Sequence, residues 1–154
     1  VPDPPDAITS NAGWDTLKNE AFLKDIILEL KRAGIRSSIF IGTDLKHIEN
    51  ASKTGTDRIE LYTEAYAKHY TTGKAEAIKP FIASAKLAGK LGLGVNAGHD
   101  LNLENLNYFQ QHIPNLLEIS IGHALISDSL YFGLQNTVQL YLRQLSNRIQ
   151  PQIA

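Results

Sequence analysis

The sequence has no cysteine and no methionine among its 154 residues. The lack of cysteine excludes disulfides and thiolate metal sites. No stretch of about 18 apolar residues occurs, so no transmembrane helix is expected. No signal-peptide pattern is visible either, and the expected compartment is the cytoplasm. The sequon Asn50-Ala51-Ser52 carries little weight in that setting. The formal net charge is only -1 and no basic patch stands out, which argues against a nucleic-acid surface as the main business of the chain. There is no Walker loop and no GxGxxG fingerprint. The missing methionine also removes an initiator. The opening Val1-Pro2-Asp3-Pro4-Pro5 reads as the end of a strand entering a loop, so the chain is expected to be part of a longer protein.

What is present is alternation. A chain of this length can form one domain with a real core. Residues 1 to 14, with Pro2, Pro4, Pro5 and Gly13, read as a loop long enough to be functional. From about Asp15 to Ala33, Phe22, Leu23, Ile26, Ile27 and Leu30 fall on one helical face. Gly34 supplies the stop. A short strand follows over 36–42, then a helix capped by Thr43 or Asp44 that carries Leu45, Ile48 and Ala51 inward. A second strand covers 58–63. The polar stretch from Glu64 to Gly73 reads as a loop, and a helix runs from about Ala75 to Lys90 with Ile78, Phe81, Ile82 and Ala85 as its stripe. Pro80 belongs in its first turn or marks a kink. A third strand covers about Gly92 to Ala97, and Asn102 is placed to cap a helix carrying Leu103, Leu106 and Phe109. The last strand runs from Leu117 to Gly122. One final helical region, about Asp128 to Arg148, shows Leu130, Leu134, Val138 and Leu142 at steps of four. Strands alternating with helices imply a parallel sheet with right-handed crossovers.

The strand faces choose between an open sheet and a barrel. Strands of a doubly wound sheet are covered on both sides and are apolar throughout. Here Ile59 and Leu61 alternate with Arg58, Glu60 and Tyr62. Leu93, Val95 and Ala97 alternate with Gly94, Asn96 and Gly98; Ile119 and Ile121 alternate with Glu118, Ser120 and Gly122. One face is aliphatic and suits helices. The other is polar or small and suits the interior of a (β/α)8 barrel, whose site lies where the βα loops leave the strands. Only three or four full strands are present, plus a possible strand end at Val1, so roughly half of such a barrel is missing.

Chemistry concentrates at the strand ends. His99 follows a strand in the setting Asn96-Ala97-Gly98-His99-Asp100, where glycine allows a ligand close approach. Histidine is the commonest general acid or base near neutral pH, though a surface-loop histidine is as common at such a position. Asp100 can bind an amine or cap the following helix. Glu60 sits mid-strand on the interior face, where a carboxylate must be paired or functional; the plain alternative is an ion pair with Arg58. Gly122 and His123 lead into a helix N-terminus, an arrangement able to hold a phosphate, or simply a tight turn. Thr9, Ser10 and Asn11 form a polar cluster in the first loop. His47, His69 and His112 read as surface residues, and no metal-ligand spacing occurs.

These residues carry a resemblance. Val1-Pro2-Asp3, Thr9-Ser10-Asn11-Ala12-Gly13-Trp14-Asp15, Ala33-Gly34-Ile35-Arg36, Ile59-Glu60-Leu61-Tyr62-Thr63-Glu64, Asn96-Ala97-Gly98-His99 and Ile121-Gly122-His123-Ala124 follow in order along essentially the whole chain. In combination they resemble the pyridoxine 5′-phosphate synthase family of deoxyxylulose-dependent vitamin B6 biosynthesis. The resemblance implies an α/β fold, roughly the C-terminal half to two-thirds of a single (β/α)8 TIM barrel. It implies condensation of 1-deoxy-D-xylulose 5-phosphate with 3-amino-2-oxopropyl phosphate, giving pyridoxine 5′-phosphate, inorganic phosphate and water. It implies no metal, no organic cofactor and a homo-octamer. His99 matches the family's proton donor, and Glu60 its transition-state-stabilising glutamate. Thr9 matches a residue that binds the deoxyxylulose phosphate, in a loop expected to close over substrate. Asp100, Gly122 and His123 match the aminooxopropyl phosphate site. Asp100 departs from the glycine of many members, which leaves its side chain without an inherited role. The loop around Thr9 departs from the commoner Thr-Thr-Glu-Gly-Gly. The family's Asn-x-Asp-His strand, base histidine, second base glutamate and substrate-binding arginines have no counterpart in these residues, so the chain alone is expected to be inactive.

Two other readings stand beside this one. Another phosphate-binding barrel enzyme, an isomerase or aldolase, would share the layout, but an aldolase needs a strand lysine and no strand here has one. A non-catalytic fragment serving as a binding or assembly module is the third.

Overall fold

The computed structural model describes residues 1–146. After an N-terminal loop come α1 (Glu20–Arg32), β1 (Ser38–Ile41), α2 (Leu45–Lys53), β2 (Arg58–Tyr62), α3 (Glu64–Ala77), α4 (Lys79–Lys90), β3 (Gly94–Gly98), α5 (Leu106–His112), β4 (Leu116–Ser120), α6 (His123–Phe132) and α7 (Leu134–Ser146). The four strands lie in the order β1-β2-β3-β4, and every pairing is parallel. The sheet therefore winds in one direction without the order reversal of a dinucleotide fold. Among the described residues no helix is long and apolar enough to cross a membrane.

The two strand faces separate as the alternation predicts. Ile39, Ile41, Ile59, Leu61, Val95 and Ala97 are buried in one cluster with Leu23, Ile27, Ile48, Phe81, Ala85, Ala88, Leu106 and Phe109 from the helices. The apolar burial of this face is the main force holding helices to sheet. The opposite face carries Arg58, Glu60 and Tyr62, only partly buried, with Phe40 beside Glu60 across β1 and β2. Polar ties fix the layers. Asp44 caps α2 through the amide of Lys46. Buried Asn50 donates to the Thr16 carbonyl at 2.8 Å, and the Thr16 hydroxyl donates to the His47 carbonyl at 2.7 Å.

Several elements differ from expectation. The stretch from Glu64 to Gly73 is helical: α3 carries buried Tyr66 inward. Its weak periodicity disguised it, since Tyr66 is its single fully buried residue and most of its polar face meets solvent. Gly73 interrupts α3 with a non-helical backbone, and Pro80 falls in the first turn of α4, where its missing N–H costs nothing. The last helical region is two helices, because Gly133 at φ 77° ends α6 before α7 begins; the expected end at Arg148 lies outside the described residues. Its stripe of Leu130, Leu134 and Leu142 is exposed, and Thr137 and Tyr141 face inward instead. In α1 only Leu23 and Ile27 of the predicted stripe are buried. Val1 lies in no strand. His47 is half-buried, its Nε2 3.6 Å from Asp15, whereas His69 and His112 are exposed as expected.

The N-terminal loop is fastened to β1 by close backbone approach. The Trp14 amide donates to the Phe40 carbonyl at 2.8 Å. A Cβ on Gly13 would stand 2.5 Å from Ile41 Cα. Gly13→Ala is therefore expected to lower stability by about 1–3 kcal/mol, the usual range for overpacking. Gly42→Ala, whose Cβ meets nothing within 4 Å, is the control. Urea denaturation of both checks this, and equal midpoints would refute it.

Candidate active site

The site is built on a turn where β3 ends. A strand sends successive side chains to opposite faces. At His99 and Asp100 the backbone leaves that pattern, with φ 77° and 55°. These two consecutive left-handed residues are uncommon for non-glycine side chains and need support from their surroundings. The support comes from both neighbouring strands. On the β2 side, the buried Thr63 hydroxyl lies within donating distance of the Gly98 carbonyl, at 2.7 Å, and of the His99 carbonyl. The Thr63 amide also donates to the Gly98 carbonyl at 3.1 Å. On the β4 side, the His99 amide donates to the Ser120 carbonyl at 3.3 Å. Past the turn, the Asn105 side-chain amide donates to the Asp100 carbonyl at 3.2 Å.

This turn holds the His99 ring at the sheet's C-terminal edge. Its Nε2 lies 2.9 Å from the Thr9 hydroxyl and its Nδ1 2.8 Å from Asp100 Oδ2. The edge of Tyr62 meets the ring at 5.1 Å and 85°, and Phe40 packs beside Tyr62 with centroids 5.1 Å apart. The Tyr62 hydroxyl is held by Glu64 Oε2 at 3.2 Å and by the Ser10 carbonyl at 3.4 Å. Burial, with the hydrogen bond and negative charge of Glu64, pushes the Tyr62 phenol up to about 12, so it stays neutral at physiological pH. The Ser10 hydroxyl donates to Asp3 at 2.5 Å.

Glu60 lies one strand away, and its environment corrects the ion-pair alternative. Arg58 pairs with Glu118 at 2.8 Å and donates to Asn96 Oδ1 at 3.2 Å. Arg36 meets the same Glu118 at 3.2 Å. Among the described residues no salt bridge is formed by Glu60. Its carboxylate packs instead against Gly98, where a Cβ would stand 2.6 Å from Glu60 Oε1 and 2.7 Å from the Ser120 carbonyl oxygen. Only glycine leaves room for this carboxylate at β3. Burial is the chief reason that Glu60 holds its proton to higher pH than an ordinary glutamate; the like charge of Glu118 adds to this, and His99 offsets a little of it.

Thr9, Ser10, Phe40, Glu60, His99, Asp100, Ser120, Gly122 and His123 line one open cleft of ≈ 820 Å³. Asn11 is exposed and does not line it. Gly122 is the N-cap of α6 and His123 its first residue, which leaves first-turn amides without helical partners at the cleft wall. Asp100 does not cap the next helix. Asn102 accepts from the amides of Glu104 and Asn105 at 2.9 Å and 3.1 Å, one turn ahead of α5. Among the described residues no lysine or arginine lines the cleft. Sequence reasoning gave no role to Thr63, Asn105, Phe40 or Tyr62. The only available signal was that Tyr62 and Thr63 sit at a strand end.

A one-way parallel sheet with a histidine, a partly buried carboxylate and a helix N-terminus at its C-terminal edge has the layout of α/β proteins whose sites lie at the strand ends. The comparison with known proteins narrows this. Residues 1–147 match the family described as Pyridoxal phosphate biosynthesis protein PdxJ, and the chain belongs to that family. It is similar to proteins named pyridoxine 5′-phosphate synthase. The one from Flavobacterium johnsoniae is 59% identical over 145 residues, 94% of this chain and 61% of the relative. The one from Parabacteroides distasonis is 61% identical over 141 residues, 92% of this chain and 59% of the relative. That from Porphyromonas gingivalis is 55% identical over 146 residues, 95% and 61% of the two chains. The chain thus spans 59–61% of the length of these relatives.

The environment of Glu60 makes a prediction for stability. A carboxyl with a raised folded-state pKa contributes stability that is full below its unfolded value and is lost as pH rises through the folded value. The native protein should therefore lose ground to Glu60→Gln as pH rises past 4.5 toward neutral. Urea midpoints measured from pH 4 to 8 check this; a difference independent of pH would contradict it.

Proposed function

We propose that this chain is the C-terminal part of a single (β/α)8 barrel with pyridoxine 5′-phosphate synthase activity. In this reading the enzyme condenses 1-deoxy-D-xylulose 5-phosphate with 3-amino-2-oxopropyl phosphate and releases pyridoxine 5′-phosphate, inorganic phosphate and water. The observation that carries it is the convergence of Thr9, Glu60, His99, Gly122 and His123 on one cleft, in a chain whose relatives bear that name.

The division of labour follows from the chemistry. Imine formation, dehydration and ring closure each move protons, and a histidine beside a reluctant carboxyl group suits that work. His99 acts as proton donor through Nε2. Glu60, partly buried and in no salt bridge among the described residues, stabilises charge that develops next to it in the transition state. Phosphate groups bind at the Gly122–His123 amides, where the start of α6 favours an anion, and Thr9 contacts the deoxyxylulose phosphate. Two phosphorylated substrates in a cleft lined, among the described residues, by no lysine or arginine need cations from elsewhere in the full-length protein. That need supports a site completed by the remaining length that the relatives have, and an inactive chain in isolation. The resemblance further supports a cytoplasmic homo-octamer.

Full-length protein is expected to form pyridoxine 5′-phosphate from the two substrates, and His99→Asn to slow that reaction by about 100-fold or more. Glu60→Gln is expected to lose most of the rate as well, with far-UV circular dichroism unchanged in both. Product measured by chromatography decides it. No product from the native protein would overturn the activity, and full turnover by His99→Asn would overturn the role of its imidazole.

A further inference from the structure

We propose that the Asp100 side chain is a positioning residue for His99: it accepts the Nδ1 proton and so commits Nε2 to the reaction. The proposal rests on the synthase reading above and adds to it the residue that selects the working nitrogen.

The contact between them is one that a regular strand cannot make. Neighbouring residues on a strand face apart. The paired left-handed conformations of His99 and Asp100, φ 77° and 55°, turn both side chains to the same side and bring Asp100 Oδ2 to 2.8 Å from Nδ1. An ionised carboxylate only accepts hydrogen bonds, so Nδ1 carries the hydrogen. Nε2 is then the nitrogen with a free lone pair or an exchangeable proton, and it faces Thr9 at 2.9 Å across the cleft lined by Glu60 and His123.

The competing roles for Asp100 are taken by other groups. Asp100 is not the N-cap of α5: that position is Asn105, without a side-chain cap, and the amides of the turn before it are taken by Asn102 rather than by Asp100. The Asp100 carbonyl is held by Asn105, so the turn does not need the carboxylate to keep its shape. Among the described residues the salt bridge of Asp100 is with His99. The remaining His99 neighbours, Tyr62 and Phe40, meet its ring through aromatic faces and edges and cannot select a tautomer.

Asp100→Asn and Asp100→Gly in the full-length protein test this. Asparagine and glycine both accept left-handed backbone, so neither strains the turn. Histidine-selective 15N NMR of the resting protein, with the His99 signals assigned from His99→Asn, reads the tautomer without turnover. The native protein should show the Nδ1–H form, and both variants should shift toward Nε2–H. In steady-state assays, kcat should fall by about tenfold or more while KM stays within about twofold. An unchanged tautomer, or an unchanged kcat in an active enzyme, overturns the proposal. So does a rise in KM at constant kcat, which would make Asp100 a substrate contact. If the native protein forms no product but the tautomer shifts in the variants, the synthase reading fails and the positioning of His99 by Asp100 stands.

Discussion

The hydrogen bonds that Thr63 makes to the carbonyls of Gly98 and His99 hold the centre of this molecule in place. They fix a left-handed backbone at two non-glycine residues, a conformation that costs about 1–2 kcal/mol per residue when unsupported. The His99 amide to Ser120 closes the same turn from β4. Three adjacent strands thus meet at one residue. The position of the His99 ring, its contacts with Thr9 and Asp100, and the clearance that Gly98 gives Glu60 all follow from that junction.

The polar face of the sheet divides into two zones with opposite electrostatics. In one, Arg36 and Arg58 pair with Glu118, which also accepts from the Asn96 side chain. Partial burial pulls the Glu118 carboxyl up, but the two guanidiniums and the Asn96 amide outweigh this and hold it below the usual glutamate range. Glu60, in the same row of the sheet as Asn96 and Glu118, forms no salt bridge among the described residues, and burial displaces its carboxyl upward. Two glutamates on one face therefore differ in readiness to take a proton, and the one that takes it more readily, Glu60, lies beside His99. Such separation of titrating groups is the usual preparation for acid–base work.

Much of this was legible in the residues. The alternation in β2, β3 and β4 announced a sheet with one aliphatic and one polar face, and the glycines beside His99 announced a strand-end site. The pairing of Arg58 was not legible, because Glu60 two positions along is the nearest carboxylate on the same strand face, while Glu118 comes from two strands away through the parallel register. α3 was missed because only Tyr66 on it is fully buried. The exposed leucines of α6 and α7 show the reverse: a clear periodic stripe says that a face is apolar and does not say what covers it. Thr63 was hidden for a different reason. A threonine after a strand has many ordinary uses, and only the three-dimensional turn reveals which carbonyls it holds.

On the proposed reading this turn presents His99 Nε2 to a substrate. A crystal structure of the full-length protein soaked with 1-deoxy-D-xylulose 5-phosphate tests it most directly. A ligand oxygen is expected within hydrogen-bonding distance of Nε2, with the Nδ1 contact to Asp100 intact and the Thr9 hydroxyl moved onto the ligand. A ligand bound away from the Gly98–Asp100 turn, with the Thr9–His99 contact undisturbed, would contradict it.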